Sequence, residues 1–196
     1  MSVQPYSLPD TGRKGITMDH FYFTRHGQTT WNVANKICGA TDVDLTDKGR
    51  LQASELGIKL SSNEYDIEEI LYSPLIRAAD TALIISEMTG IPARPEPRLT
   101  EQCFGRWEGT PRDGEDFAKA KANFLDSFGD GESMMRTGQR IYNLLDELKT
   151  YDKTVLLVAH NGIARFVRSY FEDLTNEQFA RFGIKNCEIM RFDFKE

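Results

Sequence analysis

The sequence predicts an α/β fold: a three-layer α/β/α sandwich with a mainly parallel sheet and one antiparallel edge strand. Short apolar runs alternate along the chain with longer segments of helical periodicity, an order typical of layered parallel sheets. The clearest run, Thr154 to Ala159, is almost entirely apolar, as expected of a central strand buried on both faces. The last run, residues 187–194, alternates between apolar and polar residues, which predicts the edge strand.

In the first half of the chain, apolar runs predict three strands. His20 to Thr24 is an aromatic run followed by Arg-His-Gly, which indicates a buried strand and then a turn. Thr46 is a candidate N-cap of a helix, and Pro74 and Gly90 mark the start and the end of another. We therefore predict strands over 20–24, 66–72 and 93–99, and helices over 46–60 and from 74 to about 88.

The second half of the chain is predicted to be mostly helical. Apolar residues recur at helical spacing over 115–128, 132–149, 161–171 and 175–182. Residues 1–17 are polar, lack periodicity and contain Pro and Gly, so we interpret them as an N-terminal arm outside the core. Residues 18–196 are then expected to form a single catalytic domain.

Composition excludes several classes of partner. The 196-residue chain has a net charge of −6, so no global positive charge attracts nucleic acid or an anionic membrane. No apolar run is long enough to span a bilayer, and the N-terminus lacks the apolar segment of a signal peptide. The three widely spaced cysteines argue against a disulfide framework or a zinc site. We expect a cytoplasmic protein without nucleic-acid or membrane partners, and we leave its oligomeric state open.

Polar side chains follow the predicted strands at the points where the strands end. Arg25 and His26 follow the first strand, Arg77 lies close behind the second, and His160 follows the central strand. Glu101 follows the short strand predicted over 93–99. Ligands of parallel α/β sheets bind beyond the carboxyl ends of the strands, so we expect these five side chains to meet there.

The same side chains suit phosphoryl transfer. A neutral imidazole is a good nucleophile, so a histidine can split the transfer into two steps through a phosphohistidine. Arg25 and Arg77 can bind phosphoryl oxygens bidentately, and the backbone N–H groups of Asn161 and Gly162, at a predicted helix start, can add donors. Glu101 can protonate the leaving group, so the chemistry requires neither a metal nor another cofactor.

Each residue also has an ordinary structural explanation. An Arg-His-Gly tripeptide occurs by chance, and a lone histidine after a strand is more often structural than catalytic. Arg77 or Glu101 alone would be a solvated surface charge. Only the combination and its order along the chain favour a catalytic site.

That combination resembles the histidine phosphatase superfamily, in its phosphoglycerate-mutase-like branch. The similarity begins near Phe21 and covers nearly all of the chain that follows. Five blocks appear in the family's order: Phe23-Thr24-Arg25-His26-Gly27-Gln28-Thr29-Thr30-Trp31-Asn32; Cys38-Gly39-Ala40-Thr41-Asp42; Ser73-Pro74-Leu75-Ile76-Arg77-Ala78; Leu99-Thr100-Glu101 with Phe104-Gly105-Arg106-Trp107-Glu108-Gly109; and, after Gly131-Glu132-Ser133, Val158-Ala159-His160.

The resemblance implies a role for each block. His26 would carry the phosphoryl group, with Arg25, Asn32 and Arg77 binding phosphate, Glu101 donating the proton and His160 serving as the second catalytic histidine. The backbone of the block that contains Gly39 would line the substrate pocket. The resemblance therefore implies a small phosphorylated substrate.

The sequence departs from the family pattern at two positions. Asn161 stands directly after the second histidine, where the family commonly has a glycine, and Gly162 follows it. Ala40 stands where a tryptophan is frequent, which would widen one wall of the pocket. The anion donors after His160 are therefore expected to be shifted.

We predict a phosphomonoester hydrolase, with phosphoglycerate mutase as the alternative and a non-catalytic phospholigand-binding protein as a third possibility. A mutase needs extra basic residues after Glu101 to hold a second anionic group. The segment between Gly109 and Glu132 contains Arg112, Lys119 and Lys121 but no Arg-Arg pair, and we interpret the two lysines as part of a solvated helix. The identity of the substrate stays open.

One geometric requirement follows for His26. Its imidazole must be neutral to attack phosphorus, and neighbouring arginines favour that form. The ring nitrogen that does not attack should donate a hydrogen bond to a fixed acceptor, and a backbone carbonyl is the acceptor that we expect.

Overall fold

The structure is a computed structural model that describes residues 18–62 and 64–194. The arm expected at residues 1–17 lies outside this part of the chain. The described residues form five strands and seven α-helices. In chain order they are β1 (His20–Arg25), α1 (Thr30–Val33), α2 (Asp47–Leu60), β2 (Glu69–Tyr72), α3 (Ile76–Thr89), β3 (Ala93–Pro95), α4 (Glu115–Lys121), α5 (Met134–Leu148), β4 (Val155–Ala159), α6 (Asn161–Phe171), α7 (Asn176–Arg181) and β5 (Ile189–Asp193).

The five strands form one mixed sheet in the order β3-β2-β4-β1-β5. Strands β3, β2, β4 and β1 run parallel to one another, and β5 pairs antiparallel with β1 at the edge. In the register, Arg25 lies opposite Ala159 and Tyr72 lies opposite Val158. The predicted sheet, mainly parallel with one antiparallel edge strand, is confirmed.

Helices cover both faces of the sheet and complete the three layers. Leu157 of β4 faces one apolar core, in which Leu145 of α5 and Val167 of α6 are also buried. Leu156, next to it on the strand, faces the opposite core with side chains of α2 and α3 such as Leu56. Successive side chains of a strand point to opposite faces, so a strand buried on both sides has to be apolar throughout. This explains why the run at 154–159 gave the clearest strand signal.

The helix predicted over 115–128 was too long, because α4 ends at Lys121. Two side chains beyond it accept hydrogen bonds from backbone N–H groups two residues further on: Asn123 from Leu125, and Asp126 from Phe128. Such turns compete with helix formation. Phe128 itself has a φ of 61° and is fully buried, so the turn serves to place its ring in the core.

Other boundaries also differ from the sequence prediction. Strand β3 ends at Pro95, because the Glu96 side chain accepts a hydrogen bond from Arg98 N–H and begins a short 3₁₀ turn over 97–99. Strand β2 begins only at Glu69, and β5 is shorter than 187–194. The four-residue helix α1 was not predicted. Its signal is the Thr29–Asn32 capping box, in which each side chain accepts from the other residue's backbone N–H.

The start of α2 packs directly against the loop that follows β1. A Cβ atom added at Gly49 would lie 2.1 Å from the Gln28 carbonyl oxygen, and one at Gly27 would lie 2.3 Å from the Gly49 carbonyl oxygen. Glycine is required at both positions because two backbones meet there. None of the helices within residues 18–62 and 64–194 is long and apolar enough to cross a membrane.

Two glycine substitutions in α2 test this contact. Gly49→Ala should lower the free energy of unfolding by about 1–3 kcal/mol, because the methyl group meets a fixed backbone oxygen. Gly57→Ala is the matched control: its nearest neighbour is the flexible side chain of Met88, so stability should change by no more than about 1 kcal/mol. Urea unfolding measures the stability of both variants. Equal losses of stability would contradict the close backbone contact between Gly49 and the loop after β1.

Candidate active site

Two histidines meet where three neighbouring strands end. His26 follows β1 and donates its backbone N–H to the Ala159 carbonyl, and His160 follows β4. Their ring centroids are 5.2 Å apart. Ser73 follows β2, and its Oγ lies 2.7 Å from Nε2 of His160. The parallel register thus brings together side chains that are far apart in the sequence, as predicted.

The imidazole of His26 has a defined tautomer. Its Nδ1 lies 2.7 Å from the Gly27 carbonyl oxygen, which can only accept, so Nδ1 carries the hydrogen and Nε2 is left with its lone pair. Burial lowers the pKa of His26 well below its usual value, and the charges of Arg77 and Arg25 lower it further. The expected backbone acceptor is present, and burial contributes more than the arginines to the lowered pKa that favours the expected neutral form.

Arg77 lies at the first turn of α3 and is almost fully buried. Its two terminal nitrogens donate to backbone carbonyls, one to Thr41 at 2.9 Å and the other to Gly39 at 2.7 Å. Its Nε has no hydrogen-bond partner among the described residues. Since a guanidinium has five N–H donors, Arg77 is fixed in place and still has donors free for a ligand.

The loop that holds Arg77 is itself held by Glu108. The Glu108 carboxylate accepts four backbone N–H groups: those of Gly39, Ala40 and Thr41, at 3.0 to 3.3 Å, and that of Phe104, at 2.9 Å. This residue belongs to a recognised sequence block, but sequence reasoning gave it no role. Gly39 was expected to line the pocket. The Gly39 N–H donates to Glu108, and the Gly39 carbonyl accepts from Arg77. Its neighbour Cys38 lines the cleft instead.

Glu101 is buried and linked to the start of α6. Its two carboxyl oxygens accept one backbone hydrogen bond each, from Gln102 at 3.0 Å and from Gly162 at 2.9 Å. The Gly162 N–H, which was expected to bind phosphate, therefore positions Glu101. A Cβ atom at Gly162 would lie 2.4 Å from a Glu101 oxygen, which explains why glycine is found one position after Asn161. The Asn161 side chain accepts from the Ile184 N–H.

A cleft lies among these residues. Four cations line it with a single carboxylate, Glu101, although the chain as a whole is acidic. Arg77 and His160 are buried and are not among the lining residues. The complete lining is Arg25, His26, Asn32, Ile37, Cys38, Glu101, Phe104, Arg112, Phe117, Lys121, Asn161, Gly162 and Arg165.

Two cations of the cleft were not predicted. Lys121 was interpreted as part of a solvated helix face, but it is half-buried and lines the cleft, and burial lowers its pKa to about 8. Lys119 is solvated as expected. Arg165 was missed, although it lies four residues after Asn161 on α6 and hence on the same helix face, a spacing that could have revealed it. Its Nε donates to the Phe182 carbonyl.

Arg25 and Asn32 are positioned by the chain segment before β5. Arg25 donates to the Ile184 carbonyl at 3.1 Å, and burial lowers its pKa to about 10, with a further contribution from the charge of Arg112. The Asn186 amide donates to the His26 carbonyl at 2.8 Å and approaches the Asn32 amide oxygen at 3.4 Å. This segment therefore supports the wall of the cleft.

The acidic residues after Arg112 do not line the cleft. Asp113, Glu115 and Asp116 are all exposed and are absent from its lining, so they place no negative charge inside it.

Within the described ranges, no three His, Cys, Asp or Glu side chains are grouped so that they could hold a metal ion.

Comparison with known proteins identifies the class of protein. The sequence profile of the histidine phosphatase superfamily (branch 1) matches residues 21–196. The protein described as probable phosphoglycerate mutase GpmB of Yersinia pseudotuberculosis is 32% identical over 185 residues, covering 89% of this chain and 85% of the relative. This chain belongs to the histidine phosphatase superfamily, which supports phosphatase or mutase activity.

Solved structures share the fold. A mycobacterial glucosyl-3-phosphoglycerate phosphatase, solved with VO3, superposes with a TM-score of 0.76 and 28% identity, covering 89% of this chain and 90% of that one. The YhfR protein of Bacillus stearothermophilus gives a TM-score of 0.76 and 26% identity, with 90% and 91% covered. Both the fold class and the family resemblance are thereby confirmed.

Replacing Glu108 tests how the cleft is supported. Glu108→Gln should lower the free energy of unfolding by about 1–3 kcal/mol, because an amide presents a donor to backbone N–H groups that need acceptors. It should also weaken the binding of inorganic phosphate, since the carbonyls that hold Arg77 belong to the same loop. Urea unfolding and calorimetry measure the two effects. Glu115→Gln, at an exposed position, is the control, and equal behaviour of the two variants would contradict the prediction.

Proposed function

We propose that the protein is a phosphomonoester hydrolase that acts on a small phosphorylated metabolite through a phosphohistidine at His26, without a metal or other cofactor. The observation that carries this proposal is the state of His26. Its ring is buried, which lowers its pKa and favours the neutral form; Nδ1 donates to the Gly27 carbonyl, and Nε2 retains its lone pair beside Arg25 and Arg77. A nucleophile needs this lone pair.

The proposed reaction has two steps. In the first, Nε2 of His26 attacks phosphorus, the bond from phosphorus to the ester oxygen breaks, and Glu101 gives a proton to the leaving alkoxide. In the second, water attacks the phosphohistidine, the bond from phosphorus to Nε2 breaks, and the Glu101 carboxylate takes a proton from the water. Glu101 returns to its starting state, and inorganic phosphate leaves.

Unpaired buried donors support a role in phosphate binding. Four buried side-chain nitrogens in the described residues have no hydrogen-bond partner, and three of them belong to Arg25 (Nε), Arg77 (Nε) and His160 (Nδ1). The two arginine nitrogens can only donate, and buried donors without acceptors cost free energy and are rare. Phosphoryl oxygens would supply the acceptors, and the two fixed guanidinium groups would stabilise the charge that develops on those oxygens.

A phosphoglycerate mutase is the second candidate, and a specific observation favours it. Arg112, Lys121 and Arg165 add three cations to the cleft beyond Arg25, which is what a second anionic group requires. The relative from Yersinia pseudotuberculosis is described as a probable phosphoglycerate mutase. An assay that follows conversion of 2- to 3-phosphoglycerate, primed with bisphosphoglycerate, separates the candidates. Release of phosphate without isomerisation favours the hydrolase.

Substituting the histidines one at a time tests the nucleophile. His26→Ala should reduce the turnover of p-nitrophenyl phosphate at least a thousandfold, because the covalent step then has no nucleophile. The matched control is His20→Ala: His20 lies at the other end of β1, where its ring contacts Asp66, and its loss should leave turnover within about twofold of wild type. Substantial activity in the His26→Ala variant would exclude the proposed mechanism.

The lowered pKa of Lys121 predicts that kcat/KM depends on pH. Its pKa is lowered to about 8, so the ammonium form is present below pH 8 and is lost above it. Attraction of the anionic substrate should weaken accordingly, and kcat/KM, which reports the free enzyme, should decline above about pH 8. In Lys121→Gln that decline should disappear, and kcat/KM at pH 7 should be roughly two- to tenfold lower than in wild type.

Lys119→Gln is the matched control for this measurement. Lys119 lies on the same helix but is exposed and paired with Glu115, so its removal should leave the pH profile of the wild type. A decline that persists unchanged in Lys121→Gln would show that a different group titrates.

A further inference from the structure

A second cavity adjoins the catalytic cleft. It runs between α4 and α7 and reaches the start of α5, and we call it the α4–α7 groove. Four residues line both the cleft and this groove: Arg112, Phe117, Lys121 and Arg165. The two spaces therefore adjoin each other along these four side chains.

The lining of the α4–α7 groove becomes apolar beyond the shared residues. Its remaining side chains are mainly hydrophobic, with Asn176 and Glu177 as the polar exceptions. Phe124 in this lining keeps 36% of its surface exposed. The hydrophobic side chains are Ala118, Ala122, Phe124, Met134, Phe179 and Ala180.

Lys121 marks the boundary between the polar cleft and the apolar groove. Its ammonium lies 5.7 Å from the centre of the Phe117 ring and 5.9 Å from that of Phe104. Burial at this position lowers the pKa of Lys121 to about 8, in agreement with apolar surroundings. Opposite it, Arg165 is held by its hydrogen bond to Phe182, just beyond α7. The cations of the groove are thus the three that it shares with the cleft, and Glu177 is the remaining charged residue in its lining.

We propose that the α4–α7 groove receives the leaving group of the substrate, and that the substrate is a phosphomonoester of an alcohol with an extended apolar segment. This inference rests on the proposed function. A phosphoryl group held at His26 leaves the rest of the ester to extend along the cleft, and the groove adjoins the cleft at Lys121. A leaving group made only of hydroxyl and carboxylate groups would leave the apolar lining in contact with water.

Binding of n-alkylphosphonates tests the groove without requiring turnover. Methyl-, butyl-, hexyl- and octylphosphonate share one head group, and their carbon–phosphorus bond is not hydrolysed by this chemistry. If the chain enters the groove, Kd measured by calorimetry should fall roughly two- to fourfold per added methylene. A Kd that does not depend on chain length would overturn the proposal.

Substitutions in both walls of the groove test whether the alkyl chain binds there. Ala118→Asp on α4 and Ala180→Asp on α7 place a carboxylate in the groove at exposed positions, and each should abolish most of the dependence of Kd on chain length. Leu83→Asp, at an exposed position of α3 outside the groove, is the control and should retain that dependence. If all three variants behave alike, the alkyl chain binds elsewhere and the proposal is wrong.

Hydrolysis of the matching n-alkyl phosphates separates this inference from the proposed function. Turnover of every ester with the same kcat/KM would support the hydrolase but contradict the groove as a leaving-group site. Phosphonate affinity that rises with chain length, together with no hydrolysis of any ester, would support the groove and contradict the hydrolase.

Discussion

The imidazole of His26 has to stay neutral and keep one orientation while two guanidinium groups lie beside it, and the surrounding structure meets this constraint. The Gly27 carbonyl accepts from Nδ1, and the Gly27 N–H in turn donates to the Thr81 hydroxyl on α3. On its other side, the loop contacts the backbone of Gly49 at the start of α2. The orientation of one ring therefore depends on two helices packed against the same face of the sheet.

Two glutamates hold other parts of the site in place, each through hydrogen bonds with a different segment of the chain. Both accept hydrogen bonds from backbone N–H groups, which fixes them in place. Glu101 lines the cleft and ties it to the start of α6, whereas Glu108 lies behind the wall and holds the loop whose carbonyls bind Arg77. One carboxylate is therefore available for proton transfer. The other supports the Arg77 side chain without reaching the cleft.

The sequence was sufficient to predict the layers, the parallel sheet and the meeting of His26 with His160, because these depend on apolar periodicity and on the geometry of strand ends. The prediction from the sequence failed where polar side chains compete with backbone carbonyls for backbone N–H groups. Asn123 and Asp126 end α4 early, and a helical pattern does not show this. It also failed for Lys121, since a helix with charged residues looks solvated unless the fold shows what packs against it. Phe117 lies one turn earlier on the same helix, but the packing of Lys121 against Phe104 is a tertiary contact.

The central claim is that Nε2 of His26 carries the phosphoryl group, and a trapped intermediate tests it most directly. The enzyme would be mixed with p-nitrophenyl phosphate, quenched in base within milliseconds, digested and mapped by mass spectrometry, with phosphorus NMR to distinguish the two ring nitrogens. The structure predicts phosphate on Nε2 of His26, because Nδ1 is occupied by its hydrogen bond to Gly27. Phosphate on His160 or on Nδ1 of His26, or turnover without any phosphoenzyme, would contradict it.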